Sequence, residues 1–328
     1  MATIKYFALG DIKFTPFGNP KDTHNFKNYE EWVKYINNKG IVETKNEHDA
    51  DLYITQQFPI ISKKDLYLWR FEHRNIPVLV WTHEPRYCNI TISKFPKRFY
   101  KPEINVMDVF TDDVFLNHYT WFGSCIVKKL NHIDLNHFKQ REKMICNLGT
   151  YRPHFEYYIN GENLDLSEYR QKIAIEGYKR NIVDICGRWW PNFIKTTMED
   201  RMTNDWHKSK MGFLSKYKFN LCMENTKYGY YITEKIWDSI TAGCLPIYYG
   251  TKEIYEIFKE KSFVDVSEFQ SIQNLLDYIE NMSAEEYVQR LNSCIDTYNY
   301  AYENIDFKQE EFKAIDKAIN KIHQITGK

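Results

Sequence analysis

Two kinds of hydrophobic pattern alternate along this chain, and they constrain its fold more than any other feature. Short continuous apolar runs such as IKYFALG and IPVLVWT are typical of strands buried on both faces of a parallel sheet. Between them, apolar residues recur at helical spacing, as in NYEEWVKYINNKG, where Tyr29, Trp32, Val33 and Ile36 share one face and Gly40 ends the helix. This alternation predicts an α/β fold built from doubly wound parallel sheets.

The second half of the chain repeats the alternation. MICNLGT, NIVDICG, KFNLCMEN and CLPIYYG are strand-like, and helices are predicted over residues 167–180 and in TEKIWDSITAG. A length of 328 residues is enough for two domains, each with its own core. We therefore predict two Rossmann-like, doubly wound domains facing each other across a cleft, with ligands bound at the carboxyl ends of the strands.

The domain boundaries follow from the polar stretch NHFKQREK and from the chain end. The predicted domains are an N-terminal domain over residues 1–140 and a C-terminal domain over residues 141–305. A last helix over residues 306–328 carries an apolar stripe of Phe312, Ile315, Ile319 and Ile322. We expect this stripe to pack back on the body of the protein, the alternative being a helix that lies on a membrane surface.

The charge balance indicates which classes of binding partner the chain does not attract, and the cysteine pattern indicates the cellular compartment. Lys and Arg number 44, as do Asp and Glu, so no net charge attracts nucleic acid or an anionic membrane. No apolar run is long enough for a transmembrane helix, and the N-terminus shows no signal sequence. The seven cysteines are odd in number, without a CxxC pair, and lie mostly in apolar runs. We predict core thiols and a cytoplasmic protein, with peripheral association at a membrane surface as the alternative.

The stretch from residue 217 to residue 250 carries the strongest chemical signal, since neither GxxxxGK[ST] nor GxGxxG occurs. A strand over Phe219 to Met223 leads into a polar, Tyr-rich loop, and Thr233 then stands where a helix N-cap belongs. Lys235 lies in the first turn, where the helix dipole disfavours a cation. A phosphate bound by the lysine and the helix amino end would remove this conflict. The alternative is a solvated Glu234–Lys235 pair at an ordinary helix start.

The order YKFNLCMEN, YITEK and CLPIYYG resembles the signature of the α1,3/4-fucosyltransferases of glycosyltransferase family 10, particularly the bacterial type. The similarity is strong over residues 217–250, weaker over residues 76–250, and absent from the N-terminal 70 residues. The resemblance implies a GT-B fold and inverting transfer of L-fucose from GDP-fucose. It makes residues 1–140 the acceptor-binding domain and residues 141–305 the GDP-sugar-binding domain. It implies a GlcNAc hydroxyl of a lactosamine-type glycan as acceptor, as in Lewis antigens, with α1,3 linkage and α1,4 as the alternative. No cofactor is implied, and a divalent metal would at most stimulate the reaction.

The same resemblance assigns donor-binding residues. Asn225, Tyr231, Glu234 and Lys235 match donor-contacting positions of the family. Glu234 is left with two roles, a hydrogen bond to the nucleotide ribose or stabilisation of the cationic sugar ring. An arginine that opens a helix upstream of a Val-Asp-aromatic-Gly strand contacts the donor phosphate in family members. Arg170 takes this position, and the nearby alternatives are Arg152 and Arg180.

The catalytic base of the family lies in the N-terminal domain, on a loop after a buried strand. VLVWTHEPRYCN places Glu84 there, directly before Pro85, and His83 is the neighbouring candidate. HDADLY contains a DxD, but Asp49 and Asp51 precede a strand, so we expect a surface turn and no metal site. Two other functions remain open: a GT-B transferase that uses another nucleotide sugar, and a noncatalytic glycan-binding protein on the same scaffold.

Overall fold

The structure is a computed structural model that describes residues 2–10, 12, 15–18, 29–56, 76–83, 85, 104–111, 114–120, 125–154, 156–197 and 206–328. The chain divides into two compact units. One consists of Met1–Ser124 together with Asp306–Lys328, and the other of Cys125–Ile305.

The first unit contains a five-stranded sheet in which all neighbouring strands are parallel. Its strands are β1 (Ile4–Ala8), β2 (Ile41–Glu43), β3 (Leu52–Gln56), β4 (Val78–Thr82) and β5 (Ile104–Asp108), in the order β2-β1-β3-β4-β5. All residues of β3 and β4 are buried, as the continuous apolar run of β4 predicts. The short strand β2 was not predicted from the sequence, because three residues are too few to show a periodicity.

The second unit contains another five-stranded parallel sheet. Its strands are β6 (Lys143–Leu148), β9 (Val183–Cys186), β10 (Tyr217–Leu221), β11 (Leu245–Tyr248) and β12 (Val264–Asp265), in the order β12-β11-β10-β6-β9. A small antiparallel hairpin of β7 (Tyr158–Ile159) and β8 (Glu162–Asn163) lies apart from this sheet. The chain first moves from β6 to β9 on one side and then crosses to β10 on the other. The carboxyl ends of β6 and β10 therefore form the switch point where doubly wound sheets bind ligands.

Eight α-helices occur among the described residues. They are α1 (Tyr29–Asn38), α2 (Leu135–Gln140), α3 (Ser167–Lys179), α4 (Trp206–Leu214), α5 (Glu234–Thr241), α6 (Ile272–Asn281), α7 (Ala284–Asn304) and α8 (Phe307–Thr326). The predicted N-cap Thr233 does precede α5. Side-chain oxygens of Ser271, Ser283 and Asp306 cap α6, α7 and α8 by accepting a backbone N–H of the first turn.

The first boundary between the units differs from the predicted one. The second unit begins at Cys125, whereas the polar composition of residues 136–143 placed the boundary at residue 140. The reason is a set of paired hydrogen bonds to α7. Asn299 donates to the carbonyl of Leu130 and accepts from its N–H (both 2.8 Å), and Asn292 does the same for Ile133 (3.0 and 2.8 Å). The asparagines are seven residues apart, so they share one helix face and hold this extended segment to α7.

Helix α8 belongs to the first unit. Its residues Ile315, Ile319 and Ile322 are buried, and the ring of Phe312 lies edge-on to that of Tyr35 in α1, with centroids 4.9 Å apart. The apolar stripe is therefore covered by protein.

Six cysteines fall within the described residues, and all six are buried in the second unit. They are Cys125, Cys146, Cys186, Cys222, Cys244 and Cys294. Cys88 lies outside the described residues. In the part of the chain that the structure describes, no helix combines the length and apolar character needed to cross a membrane.

Candidate functional site

The segment after β10 lies between the end of β11 and the start of α3. On one side the N–H of Glu224 donates to the carbonyl of Tyr249 (2.9 Å). On the other, the N–H of Leu166 donates to the carbonyl of Asn225 (2.9 Å), and Asp165 forms an antiparallel bridge with Thr226. This pairing brings the first turn of α3 to the carboxyl end of β10.

Arg170 lies in that first turn. Its guanidinium donates to the carbonyl of Met223 (2.6 Å) and to the side-chain oxygen of Asn225 (3.1 Å). No carboxylate of a described residue forms an ion pair with it. Burial lowers the pKa of Arg170, but an arginine remains charged at neutral pH. Two of the five guanidinium N–H groups have these acceptors, which leaves donors for an anionic ligand.

The alternatives to Arg170 differ in their surroundings. Arg180 caps the far end of α3, where it forms ion pairs with Asp277 (2.6 Å) and Glu280 (2.9 Å). Arg152 is exposed, and its charge is close enough to help lower the pKa of Arg170. The structure therefore brings Arg170 and Arg152 to the same region and places Arg180 in a surface ion pair at the opposite helix end.

A buried carboxylate, Glu224, organises the amino end of α5. Its side chain is 0% exposed and accepts hydrogen bonds from the backbone N–H (2.7 Å) and hydroxyl (2.9 Å) of Thr233. It also accepts from the ammonium of Lys235 (3.0 Å) and from the hydroxyl of Tyr248 (3.3 Å). Burial raises the pKa of Glu224, while the adjacent lysine opposes this rise.

Lys235 forms the positive half of this pair. Burial by itself would lower the pKa of Lys235, but the carboxylates of Glu224 and Glu234 outweigh burial and raise it. The ammonium also donates to the Thr233 hydroxyl (2.8 Å) and lies 5.8 Å from the ring centroid of the buried Tyr231. Lys235 is thus a protonated cation with a fixed position, and its side chain is 20% exposed.

The Thr233 hydroxyl is engaged with Glu224 and Lys235, so it does not cap α5. The first-turn N–H groups of this eight-residue helix therefore receive no cap from the Thr233 side chain. Beside them, the Glu234 side chain is 41% exposed. Burial opposes ionisation of Glu234, but the charges of Lys235 and Lys210 dominate and lower its pKa to about 2. Glu234 is therefore an anion at neutral pH.

All five predicted donor-binding residues thus lie around one network. Arg170 donates to Asn225, and the ammonium of Lys235 lies over the ring of Tyr231. The negative charge of Glu224 favours the charged form of both cations and so acts to raise the pKa of each. Glu234 joins through its proximity to Lys235, with 3.8 Å between the charged atoms. Gly149, after β6, completes the region: a Cβ built on this glycine would lie 3.8 Å from the Arg170 guanidinium. The group surrounds the switch point of the second sheet.

Glu224 was not predicted as a site residue, although the Glu-Asn pair that it forms with Asn225 is part of the sequence motif. The available signal was a carboxylate directly after a buried strand, in a stretch that also contains a lysine. A buried acid needs partners, and its position in the sequence does not identify them. Lys210 was also missed; it forms an ion pair with the buried Asp238 of α5 and influences Glu234.

The predicted catalytic base, Glu84, lies outside the described residues. Its neighbour His83 directly follows β4, and its ring Nε2 accepts a hydrogen bond from the Trp81 indole N–H (3.4 Å). Burial lowers the pKa of His83 to about 4, so the imidazole is neutral at neutral pH. Because Trp81 occupies the acceptor nitrogen, His83 fits the part of a general base poorly.

Among the residues that the structure describes, no group of three His, Cys, Asp or Glu side chains is arranged to hold a metal ion. The two aspartates of the DxD sequence lie at a turn and in contacts within the protein. Asp49 ends a short 3₁₀ turn, Glu47–Asp49, and Asp51 accepts from the N–H of Lys5 (2.9 Å) and from the ammonium of Lys328 (2.6 Å).

Comparison with known proteins identifies the region that contains this network. Residues 162–292 match the family described as "Glycosyltransferase family 10 (fucosyltransferase) C-term". Over this range the chain is similar to that family. The matched range includes Arg170, Asn225, Tyr231, Glu234 and Lys235, the candidate donor-binding residues.

A relative of this chain is the alpha-(1,3)-fucosyltransferase FucT of Helicobacter pylori, which is 39% identical over 109 residues. That alignment covers 31% of this chain and 23% of the relative, so the chain matches less than a quarter of the relative's length.

Solved structures resemble the chain over nearly all of its length. A crystal structure of an alpha1,3-fucosyltransferase covers 99% of this chain and 92% of its own, with a TM-score of 0.56 and 19% identity. A structure described as alpha1,3-fucosyltransferase with GDP-fucose has a TM-score of 0.51 at 19% identity, covering 97% of this chain and 90% of its own. At such low identity the likeness establishes the fold. The predicted α/β fold of the GT-B type is confirmed.

Proposed function

We propose that this protein is an inverting fucosyltransferase that transfers L-fucose from GDP-fucose to a GlcNAc hydroxyl of a lactosamine-type glycan. One observation carries the proposal. The cations Arg170 and Lys235 and the amino end of α5 surround the switch point of the second sheet, in the region that is similar to family 10. The α1,3 linkage follows the name of the H. pylori relative, with α1,4 as the alternative.

The departing group of this reaction is GDP, whose diphosphate gains negative charge in the transition state. Arg170 retains guanidinium donors, Lys235 is protonated, and the first-turn N–H groups of α5 point along the helix dipole. Each charge-assisted hydrogen bond to the diphosphate contributes about 1.5–3 kcal/mol. These groups are fixed before the substrate arrives, so little reorganisation opposes catalysis.

The donor's other groups have candidate partners in the same network. The Asn225 amide oxygen is occupied by Arg170, which leaves its NH₂ to donate to the nucleotide. The anionic Glu234 carboxylate suits hydrogen bonds from the two ribose hydroxyls. We favour this role for Glu234 over stabilisation of the sugar ring, because its carboxylate belongs to the first turn of the helix whose amino end would bind the diphosphate.

Inversion requires an acceptor hydroxyl to attack the anomeric carbon from the side opposite GDP. We assign Glu84 as the general base that accepts the hydroxyl proton, an effect typically worth about 10²- to 10⁴-fold in rate. The bond between the anomeric carbon and the diphosphate oxygen breaks as the new glycosidic bond forms, and GDP leaves with the electron pair. Two protein cations act on the diphosphate, so we propose that a divalent metal is at most stimulatory.

The first experiment tests the donor. Thermal unfolding is followed with GDP, UDP or dTDP, since only a ligand that binds the native state raises the Tm. We expect a rise with GDP alone, and fucose transfer from GDP-fucose to N-acetyllactosamine or lacto-N-biose acceptors with and without EDTA. Stabilisation by UDP or dTDP instead would indicate another nucleotide sugar. Glycan binding without GDP release would indicate a noncatalytic protein.

The second experiment separates the roles of the residues. Glu84→Ala should abolish transfer and leave the GDP-induced rise in Tm intact. Lys235→Ala and Arg170→Ala should reduce both transfer and the GDP-induced rise. Wild-type transfer by the Glu84→Ala protein would exclude this residue as the base.

A further inference from the structure

The loop that follows β9, residues 187–197, presents two aromatic side chains to solvent. Trp189 is 75% exposed and Phe193 is 63% exposed. Exposed aromatic residues of this size are uncommon on a folded surface, and those grouped on one short loop are typical of binding sites.

The 187–197 loop is held firmly by the body of the second unit. Its start is fixed by a hydrogen bond from the N–H of Tyr151 to the carbonyl of Arg188 (3.0 Å). Its end is fixed by the N–H of Lys195, which donates to the Tyr178 hydroxyl (3.0 Å), and by the N–H of Thr197, which donates to the carbonyl of Ile185 (3.0 Å). A ligand that binds this loop therefore meets a largely preformed surface, which lowers the entropic cost of binding.

Trp189 and its neighbour Trp190 have opposite orientations. The Trp190 side chain is buried, packs against Tyr151 with ring centroids 5.2 Å apart, and donates its indole N–H to the carbonyl of Gly149 (2.8 Å). Trp189 has a φ of 67°, in the left-handed region that a bulky residue rarely adopts. The strained backbone turns one tryptophan inward as an anchor and leaves the other exposed. Backbone strain of this kind is concentrated at binding sites.

The anchor connects the loop to the proposed donor site. Gly149, which accepts the Trp190 hydrogen bond, is the glycine whose added Cβ would lie 3.8 Å from the Arg170 guanidinium. The loop and the arginine thus both lie beside Gly149, the residue that follows β6. The 187–197 loop borders the diphosphate-binding region on its β9 side, since β9 is the edge strand next to β6.

We propose that Trp189, together with Phe193, is a stacking surface for a pyranose ring of the acceptor glycan. The inference rests on the proposed function, since it requires an acceptor sugar beside the donor diphosphate. A pyranose ring has an apolar C–H face that packs on an indole ring while its hydroxyls stay in water. An exposed, rigid tryptophan provides a large contact area at low conformational cost. The acceptor enters from solvent, and an exposed ring at the border of the site suits it better than the nucleotide, whose phosphates bind at the switch point.

The test compares Trp189→Ala, Phe193→Ala and Trp189→Phe with the wild type in fucose transfer to N-acetyllactosamine. We expect Trp189→Ala to raise the acceptor KM about 10-fold, which corresponds to about 1.4 kcal/mol, and Phe193→Ala to raise it less. The donor KM, the GDP-induced rise in Tm and the Tm itself should be unchanged. Trp189→Phe, which retains an aromatic ring, should recover most of the acceptor affinity. Tyr300→Ala, which removes a 58% exposed aromatic from α7, is the matched control.

Each outcome separates this inference from the proposed function. Transfer with an unchanged acceptor KM in Trp189→Ala would overturn the stacking surface and leave the fucosyltransferase intact. A raised donor KM with an unchanged acceptor KM would also overturn it, because the ring would then contact the nucleotide. Absence of transfer by the wild type with every acceptor would reject the proposed function instead.

Discussion

At the scale of single residues, Glu224 explains why the cationic site is ordered before a ligand binds. This one buried carboxylate accepts hydrogen bonds from a helix-start threonine, a lysine and a tyrosine that are 9, 11 and 24 residues further along the chain. Lys235 is thereby kept charged and fixed in position. The same contacts join the segment after β10 to the amino end of α5. Glu224 therefore stabilises both the local fold and the position of the cation that would bind the ligand.

We predict that Glu224→Gln destabilises the protein by about 3 kcal/mol, because removing one partner of a buried ion pair leaves the other charge uncompensated. The amide retains the size of the side chain and one acceptor, so the fold should persist. Urea unfolding measures the free energy, and the GDP-induced rise in Tm should shrink because Lys235 loses its position.

Glu162→Gln is the control for this variant. Glu162 is 68% exposed and lies 4.0 Å from Lys227, a surface arrangement that contributes little. Its unfolding free energy should stay within about 0.5 kcal/mol of the wild type. Equal stability of the Glu224 and Glu162 variants would contradict the supporting role of Glu224.

The sequence predicted the cations of the site better than the group that organises them. Arg170 and Lys235 were identified by their place at helix starts within a familiar motif. The role of Glu224 was not predicted, because one of its hydrogen-bond partners is Tyr248 on another strand. A local sequence pattern does not indicate a contact between two strands. Arg170 and Arg180 lie at opposite ends of α3, and which of them is near β10 likewise depends on the direction of this helix, which only the fold supplies.

At the scale of elements, the packing of α3 on β9 sets the position of Arg170. Gly177 of α3 lies against Val183 at the start of β9, and a Cβ on this glycine would be only 2.2 Å from a Val183 methyl group. No side chain fits without moving the helix. The sequence predicted both elements from their patterns, but it did not show that this glycine is the point of close approach.

Gly177→Ala should therefore destabilise the protein by about 1–3 kcal/mol, the usual cost of overpacking a core. Gly212→Ala in α4 is the matched control, because nothing lies within 4 Å of the added methyl group. Alanine there should be neutral or stabilise by up to about 1 kcal/mol, since glycine weakens helices. Thermal or urea unfolding distinguishes the two, and equal effects would show that α3 shifts without cost.

The strand β10 illustrates the limit of element boundaries. A strand over residues 219–223 was expected from the apolar run, whereas β10 ends at Leu221. Beyond that point Cys222 and Glu224 still bond to the β11 side of the sheet, but Asn225 and Thr226 pair with the residues before α3. Hydrophobicity continues past the end of the strand because the segment is buried by this second partner.

At the scale of the whole molecule, every candidate donor-binding residue belongs to the unit Cys125–Ile305, whereas residue 84 belongs to the sequence range of the other unit. The fold class and the duplication of the sheet were predictable from alternating patterns. The first boundary was not, because the asparagine contacts of α7 attach an apparently featureless segment to the second unit.

A fragment of residues 125–305 should therefore fold, bind GDP and fail to transfer fucose. Circular dichroism checks its folding, and the GDP-induced rise in Tm checks binding. A fragment that begins at residue 141 is the control: it lacks the segment held by Asn292 and Asn299, and we expect a lower Tm. A folded 125–305 fragment that ignores GDP would contradict the assignment of donor binding to this unit.

The six buried thiols of the described residues all belong to that same unit. Their reaction with an alkylating reagent therefore measures how fast this unit opens locally. In a Cys88→Ser background, an alkylating reagent reaches one of the described sulfurs only when the structure around that sulfur opens. The rate of mass gain then gives the rate of local opening in the unit Cys125–Ile305, without an added dye or label. Mapping which sulfur reacts first would show where the opening begins.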